Sequence, residues 1–279
     1  MSFDTIINRF GTHSSKWDMM EEIYHVPAKD GIPMWVADMD FRAPDCVQNA
    51  IAKMHEHGIY GYYGDDSSYR NAICWWMPTR HGWDVDPQAI FTTHGLVNGT
   101  ALCVDTCTEP GDGVVRMTPV YHAFAKVIRA NDRRVVECDL AYENGRYEMD
   151  FDAWDQQLDG SEKMMILCSP HNPGGRVWTR AELDSVAAFA KRHDLILVSD
   201  EIHHDLVYSG VSHIPMARIE FVDAATVAAF NAEGGAVMPA QPHLLVEFHG
   251  SDAGVAEQAA RFGAFAAVFA AGAFQWAAR

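Results

Sequence analysis

The sequence is short of three things, and each shortage excludes a class. Basic residues are few: 21 Lys and Arg stand against 38 Asp and Glu, a net charge of −17. A nucleic-acid partner calls for a basic face, so that class is excluded as the expectation. No apolar run reaches the roughly 18–20 residues that span a bilayer, and the start MSFDTIINRF has no basic segment followed by an apolar one. Neither a membrane anchor nor a secretory signal is expected. The six cysteines (Cys46, Cys74, Cys103, Cys107, Cys138 and Cys168) form no CxxC pair. The spacing therefore predicts no metal site and free thiols in a reducing cytoplasm. Cys103 and Cys107 are four apart, on one face of a predicted helix.

Lysine is also scarce. The six are Lys16, Lys29, Lys53, Lys126, Lys163 and Lys191, and none follows. Alanine moves the other way, with 18 in residues 1–219 and 19 in residues 220–279. The shift marks a boundary near Arg218–Phe221. The predicted organisation is an N-terminal arm over 1–44, a large domain over 45–218 and an alanine-rich tail over 219–279.

What is present is an alternation of short apolar strands and helical patterns. Helices are predicted over 45–57, ending at Gly58, and over 67–80, broken by Pro78. AIFTTHG (89–95) reads as a strand entering a glycine turn, followed by a helix through LVNGTALCVDTCT. Strands follow at 113–119, 133–140, 163–170 and 195–203, with helices at 121–130 and 179–192. Thr179 with Glu182 predicts a capping box for the last helix. The pattern implies an α/β fold: a mainly parallel sheet covered on both faces, three layers in all. Ligands of such sheets bind at the carboxyl ends of the strands, where Gly95, Tyr121, Asn172 and Asp200 all fall.

Each of these has a functional and a structural reading. Gly95 opens a helix whose first N–H groups suit a phosphate, although many α/β turns carry glycine. Asn172, in SPHNPGG, either donates to a ligand or stabilises its own turn. Asp200 can pair with a cationic ring nitrogen and His203 with a neighbouring oxygen, yet a His near an Asp is often only a satisfied pair.

Taken jointly, PMWVADMDF (33–41), YGYYG (60–64), TPVYHAF (118–124), SPHNPGGRVW (169–178) and VSDEIHHDLVY (198–208) resemble fold-type I enzymes that use pyridoxal 5′-phosphate. They are most similar to MalY/PatB-type cystathionine β-lyases, over residues 1–218. The resemblance implies roles residue by residue. Asp200 would pair with the protonated pyridine nitrogen. Asn172 and His203 would bond the phenolic oxygen, and Tyr121 would stack on the ring. Gly95, Leu96 and Val97 would offer backbone donors to the phosphate. Tyr62 would reach the phosphate of a neighbouring subunit in a homodimer, and Trp35, Ala37 and Asp38 would line the substrate entrance. The implied activity is a carbon–sulfur β-lyase that takes L-cystathionine or a related cysteine S-conjugate to a thiol, pyruvate and ammonia. An aminotransferase, or a non-catalytic fused fragment, is the alternative.

The resemblance also implies a lysine about thirty-odd residues after Asp200, near Ala232 and Glu233. The sequence there is AAFNAEGGAVMP, with no lysine, so no catalytic residue is assigned and the cofactor is expected to be noncovalent. The chain reads as a truncated large domain with an appended α+β tail. That tail, around QPHLLVEFHGSDAGVAEQAARFG (241–263), resembles a cap-domain fragment of FAD-linked D-lactate/glycolate-type oxidases. Ser251 would cap its helix and Asp252 favour the positive end.

Overall fold

The structure is a computed structural model that describes residues 3–62 and 64–219. The alanine-rich tail from residue 220, with its expected α+β fold and its resemblance to an oxidase cap, lies outside the described residues. The chain divides into two compact units, residues 1–65 and 66–279.

The first unit carries α1 (Ser15–Asp18), α2 (Met20–Tyr24) and α3 (Asp45–His57). Gly58 ends α3 as expected, in the left-handed region at φ 71°. A half-buried charge network ties the extended segment after α2 to α1. Asp40 accepts from Lys16 Nζ at 2.8 Å, Trp17 Nε1 at 2.8 Å and Arg9 Nη1 at 2.7 Å. These three donors hold its carboxyl well below the usual carboxylate range.

The second unit holds α4 (Ser67–His81), α5 (Leu96–Cys107), β1 (Gly113–Thr118), α6 (Ala123–Ala130), β2 (Arg134–Asp139), β3 (Ala141–Glu143), β4 (Arg146–Glu148), α7 (Phe151–Gln157), β5 (Glu162–Cys168), α8 (Arg180–Arg192) and β6 (Ile196–Asp200). Four strands form a parallel sheet in the order β2-β1-β5-β6. β3 and β4 form a separate antiparallel hairpin.

Strand periodicity separates the two cores. Successive side chains of β1 and β5 point to opposite faces. Val115, Met117, Met165 and Leu167 pack under α7 and α8 with Trp154, Leu183 and Phe189. Val114, Met164, Ile166 and Cys168 pack under α5 and α6 with Val104, Phe124 and Ile128. The result is the expected three layers. Trp154, Trp178 and Phe189 are almost wholly buried, and each such side chain contributes about 1.5–3 kcal/mol of hydrophobic stabilisation. The capping box of α8 forms as predicted: Thr179 Oγ1 accepts from Glu182 N, and Glu182 Oε2 accepts from Thr179 N at 2.7 Å.

Two expectations fail. Pro78 does not break its helix; α4 continues to His81. Proline removes one N–H, so the Cys74 carbonyl loses its partner within the helix. The last turn is held instead by the buried side chains of Met77 and His81 and by Thr79 Oγ1 donating to Trp75 O at 2.6 Å. Residues 89–95 do not form a strand; Pro87–Ala89 is a short 3₁₀ turn. The Arg70 guanidinium donates to Pro87 O at 2.7 Å and to Ile90 O at 2.6 Å, the latter a carbonyl within the expected strand.

Candidate functional site

The candidate site grows from the carboxyl edge of the parallel sheet. β1, β5 and β6 are adjacent and parallel, so the segments after them emerge on one side. Tyr121 follows β1, Asn172 follows β5, and Asp200 ends β6 and pairs in register with Cys168. α5 leads into β1 through residues 108–112. Its C-terminus is therefore at the amino edge and its N-terminus, with Gly95, Leu96 and Val97, at the carboxyl edge.

Hydrogen bonds join these segments. The ring nitrogen Nε2 of buried His171 donates to Pro119 O at 2.8 Å, tying the turn after β5 to the turn after β1. Ser169 N donates to Asp200 O at 2.9 Å, tying it to β6. Asn172 N donates to Cys168 Sγ at 3.3 Å, and Trp178 Nε1 to Cys168 O at 3.0 Å. The Asn172 backbone is thus held at both ends of its turn. Sequence reasoning missed His171, Cys168 and Trp178 as supports, because their partners are main-chain atoms up to 52 residues away.

The electrostatics suit a ligand with a cation at one end and an anion at the other. Asp200 accepts from Ile202 N at 3.0 Å. Burial pushes its carboxyl above the usual range, opposed by that N–H and by His203, with Glu201 adding to the rise. A carboxyl in that state gains from a cationic partner. At the other end, α5 begins at Gly95 (φ 87°) with no side-chain cap. The first N–H groups of a helix have no partner within it, so those of Leu96 and Val97 are available to an anion. Tyr121 is half-buried, packed on the α5–α6 core and edge-on to Phe124 at 5.6 Å. These residues fit the ring, its charged nitrogen and a phosphate.

The anchor amine does not fit. Lys163 Nζ donates to Gly160 O at the start of β5, on the amino edge. Lys191 sits in the last turn of α8, which leads into the start of β6. Lys126 lies on the exposed side of α6.

The remaining expected residues belong to the first unit. Tyr62 is fully exposed there. Trp35 Nε1 donates to Lys16 O at 3.2 Å, and its ring meets Tyr24 edge-on at 5.1 Å. Ala37 is exposed, and Asp38 is ion-paired with Arg9. The six cysteines are free thiols. Burial pushes Cys107 up to about 11, and Cys138 and Cys168 up to about 12.

The chain is 41% identical to the cystathionine beta-lyase PatB of Bacillus subtilis, over 82% of this chain and 59% of that protein. It is 32% identical to protein MalY of Escherichia coli, over 78% and 56%. It thus spans less than two thirds of these relatives' length. Among solved structures, cystalysin of Treponema denticola, which contains pyridoxal 5′-phosphate, superposes with a TM-score of 0.74 at 30% identity, covering 95% of this chain and 68% of its own. The model of the family described as aminotransferase class I and II matches residues 30–234, continuing into the alanine-rich tail. By that match, which takes in every residue of the carboxyl-edge site, the chain belongs to the aminotransferase class I and II family.

Proposed function

We propose that the chain carries the cofactor-binding half of a pyridoxal-phosphate-dependent carbon–sulfur β-lyase of the cystathionine β-lyase type, and that it holds the cofactor noncovalently. The observation that carries the reading is the pairing at the carboxyl edge: a half-buried Asp200 carboxyl raised by desolvation, and uncapped amides at the start of α5. The names of PatB and cystalysin support the class.

When bound, the protonated ring supplies an electron sink for charge that develops at a substrate α-carbon. The chain's own residues do the rest. Asp200, as carboxylate, keeps a proton on the ring nitrogen. Asn172 and His203 donate to the phenolic oxygen, and Tyr121 covers one ring face. The amides of Leu96 and Val97, freed by the turn at Gly95, hold the phosphate. Trp35, Ala37 and Asp38 line the entrance for an amino-acid substrate, and Tyr62 serves the phosphate of a second subunit in a homodimer. The domain plan behind this reading is an arm over 1–44, a cofactor domain over 45–218 and a tail over 219–279. The setting is the cytoplasm, consistent with six free thiols; among the described residues no helix is long and apolar enough to cross a membrane.

No lysine stands near Ala232 and Glu233, where the resemblance implies one, so turnover of L-cystathionine to pyruvate by this chain is expected to be several orders of magnitude below that of an anchored enzyme. The test is titration of the purified chain with pyridoxal phosphate, followed by absorbance, then borohydride and mass spectrometry. Saturable binding that Asp200→Ala weakens at least tenfold, with no reduced adduct, is expected. Binding that Asp200→Ala leaves unchanged would refute the site. A stable adduct on Lys163 or Lys191 would refute the noncovalent reading. The family name gives a second reading, an aminotransferase with the same cofactor residues; keto-acid formation from an added amino donor, without pyruvate from cystathionine, would favour it.

A further inference from the structure

Within the second unit, three side chains from distant parts of the sequence converge. His81 is the last residue of α4, while His204 and Asp205 follow β6, with Asp205 124 residues after His81. One ligand atom from each lies within 4.8 Å of the others. His81 Nε2 is 3.0 Å from Asp205 Oδ1, and His204 Nε2 is 3.3 Å from Asp205 Oδ2. The His81 and His204 rings meet edge to face at 4.6 Å. Asp205 also accepts from Trp76 Nε1 at 2.9 Å and lies 3.8 Å from Arg80 Nε.

Hydrogen-bond chemistry fixes the tautomers. His204 Nδ1 is 2.6 Å from the Glu201 carbonyl oxygen. A carbonyl only accepts, so Nδ1 carries the hydrogen. In the neutral ring, Nε2 is then a bare lone pair facing a carboxylate oxygen, which is also an acceptor. The two acceptors face each other at 3.3 Å, an arrangement that a cation bound between them would stabilise. A metal-bound imidazole shows this same pattern, with its other N–H held by a carbonyl.

A second observation comes from His213. Its side chain is wholly buried, and its ring lies 5.6 Å from His81 and 6.0 Å from His204. Nε2 faces Glu201 Oε2 at 3.1 Å and donates to it, while Nδ1 is buried with no hydrogen-bond partner. The cluster thus holds another bare nitrogen lone pair. A cavity of about 290 Å³ opens onto His81, His204, Asp205 and His213 and gives an ion access.

We propose that His81, His204 and Asp205 bind one divalent ion of the zinc class, which staples the segment after β6 to the end of α4. Two imidazoles and one carboxylate suit a borderline transition metal; magnesium and calcium prefer oxygen donors alone. The stapled segment begins directly after His203, so the ion would fix a residue of the candidate cofactor site from the side.

The test uses the full 279-residue chain, stripped with a chelator and titrated with zinc by calorimetry. Cobalt serves as a spectroscopic replacement. One zinc per chain is expected, with a rise in melting temperature and ligand-field bands for cobalt. His204→Ala and Asp205→Asn should each weaken zinc binding at least tenfold and abolish the thermal shift. His57→Ala, in the first unit, should change neither. Should His204→Ala fail to fold, Asp205→Asn carries the test, because its side chain is 34% exposed. Absence of zinc binding, equal affinity in wild type and both variants, or equal affinity for magnesium would overturn the proposal.

Discussion

Trp178 is the side chain through which the candidate site depends on the core. It is 1% exposed, its indole N–H donates to Cys168 O at 3.0 Å, and Arg176 lies over its ring at 4.5 Å. Its ring also meets that of His171, at 5.4 Å. Trp178→Phe keeps an aromatic ring but deletes the donor. Depriving a buried carbonyl of its partner costs about 1–3 kcal/mol. The smaller ring leaves a void of roughly 40 Å³, which at about 24 cal/mol per Å³ adds about 1 kcal/mol. The expected loss is therefore about 2–4 kcal/mol. With a urea slope of about 2–3 kcal/mol per molar, the midpoint falls by about 1 M. Urea unfolding followed by far-UV circular dichroism reads this directly. Trp75→Phe, at a site 63% exposed, is the control and should shift the midpoint little. If Trp178→Phe unfolds within about 0.5 kcal/mol of wild type, the indole bond is not what holds the turn carrying Asn172.

Other outcomes follow from the same structure. Thr179→Ala removes the capping box of α8 and should lower stability by about 1 kcal/mol in the same urea assay; an unchanged midpoint would refute the cap. Asp200 has a raised folded pKa, so the folded state holds more protons than the unfolded one above about pH 4, and stability falls as pH rises through the folded value. Asp200→Asn should therefore stabilise the cofactor-free chain at pH 7, an advantage that vanishes below about pH 4, while weakening pyridoxal phosphate binding; destabilisation at pH 7 would contradict the burial argument. Thiol titration with a chromogenic disulfide should label exposed Cys46 in the native chain, with Cys138 and Cys168, both pushed up to about 12, reacting only after unfolding. Early labelling of either would contradict their burial.

What the sequence determined is what local pattern can carry. The capping pair Thr179 and Glu182, the glycines that end α3 (Gly58) and open α5 (Gly95), and the apolar runs of β1, β5 and β6 set their elements through neighbours within a few residues. The placement of Tyr121, Asn172 and Asp200 at strand ends follows from those runs, because a parallel sheet brings its carboxyl ends to one edge. Tertiary structure alone decided the rest. Pro78 stays in α4 because Met77 and His81 on either side are buried, outweighing the lost N–H. Residues 89–95 are no strand, and Arg70, twenty residues earlier, takes the Ile90 carbonyl there. The turn carrying Asn172 is held by Pro119 and by Trp178, and the His81–His204–Asp205 cluster joins positions 124 residues apart. Contacts of that separation leave no periodicity in the chain, since they exist only once the sheet and its helices have packed.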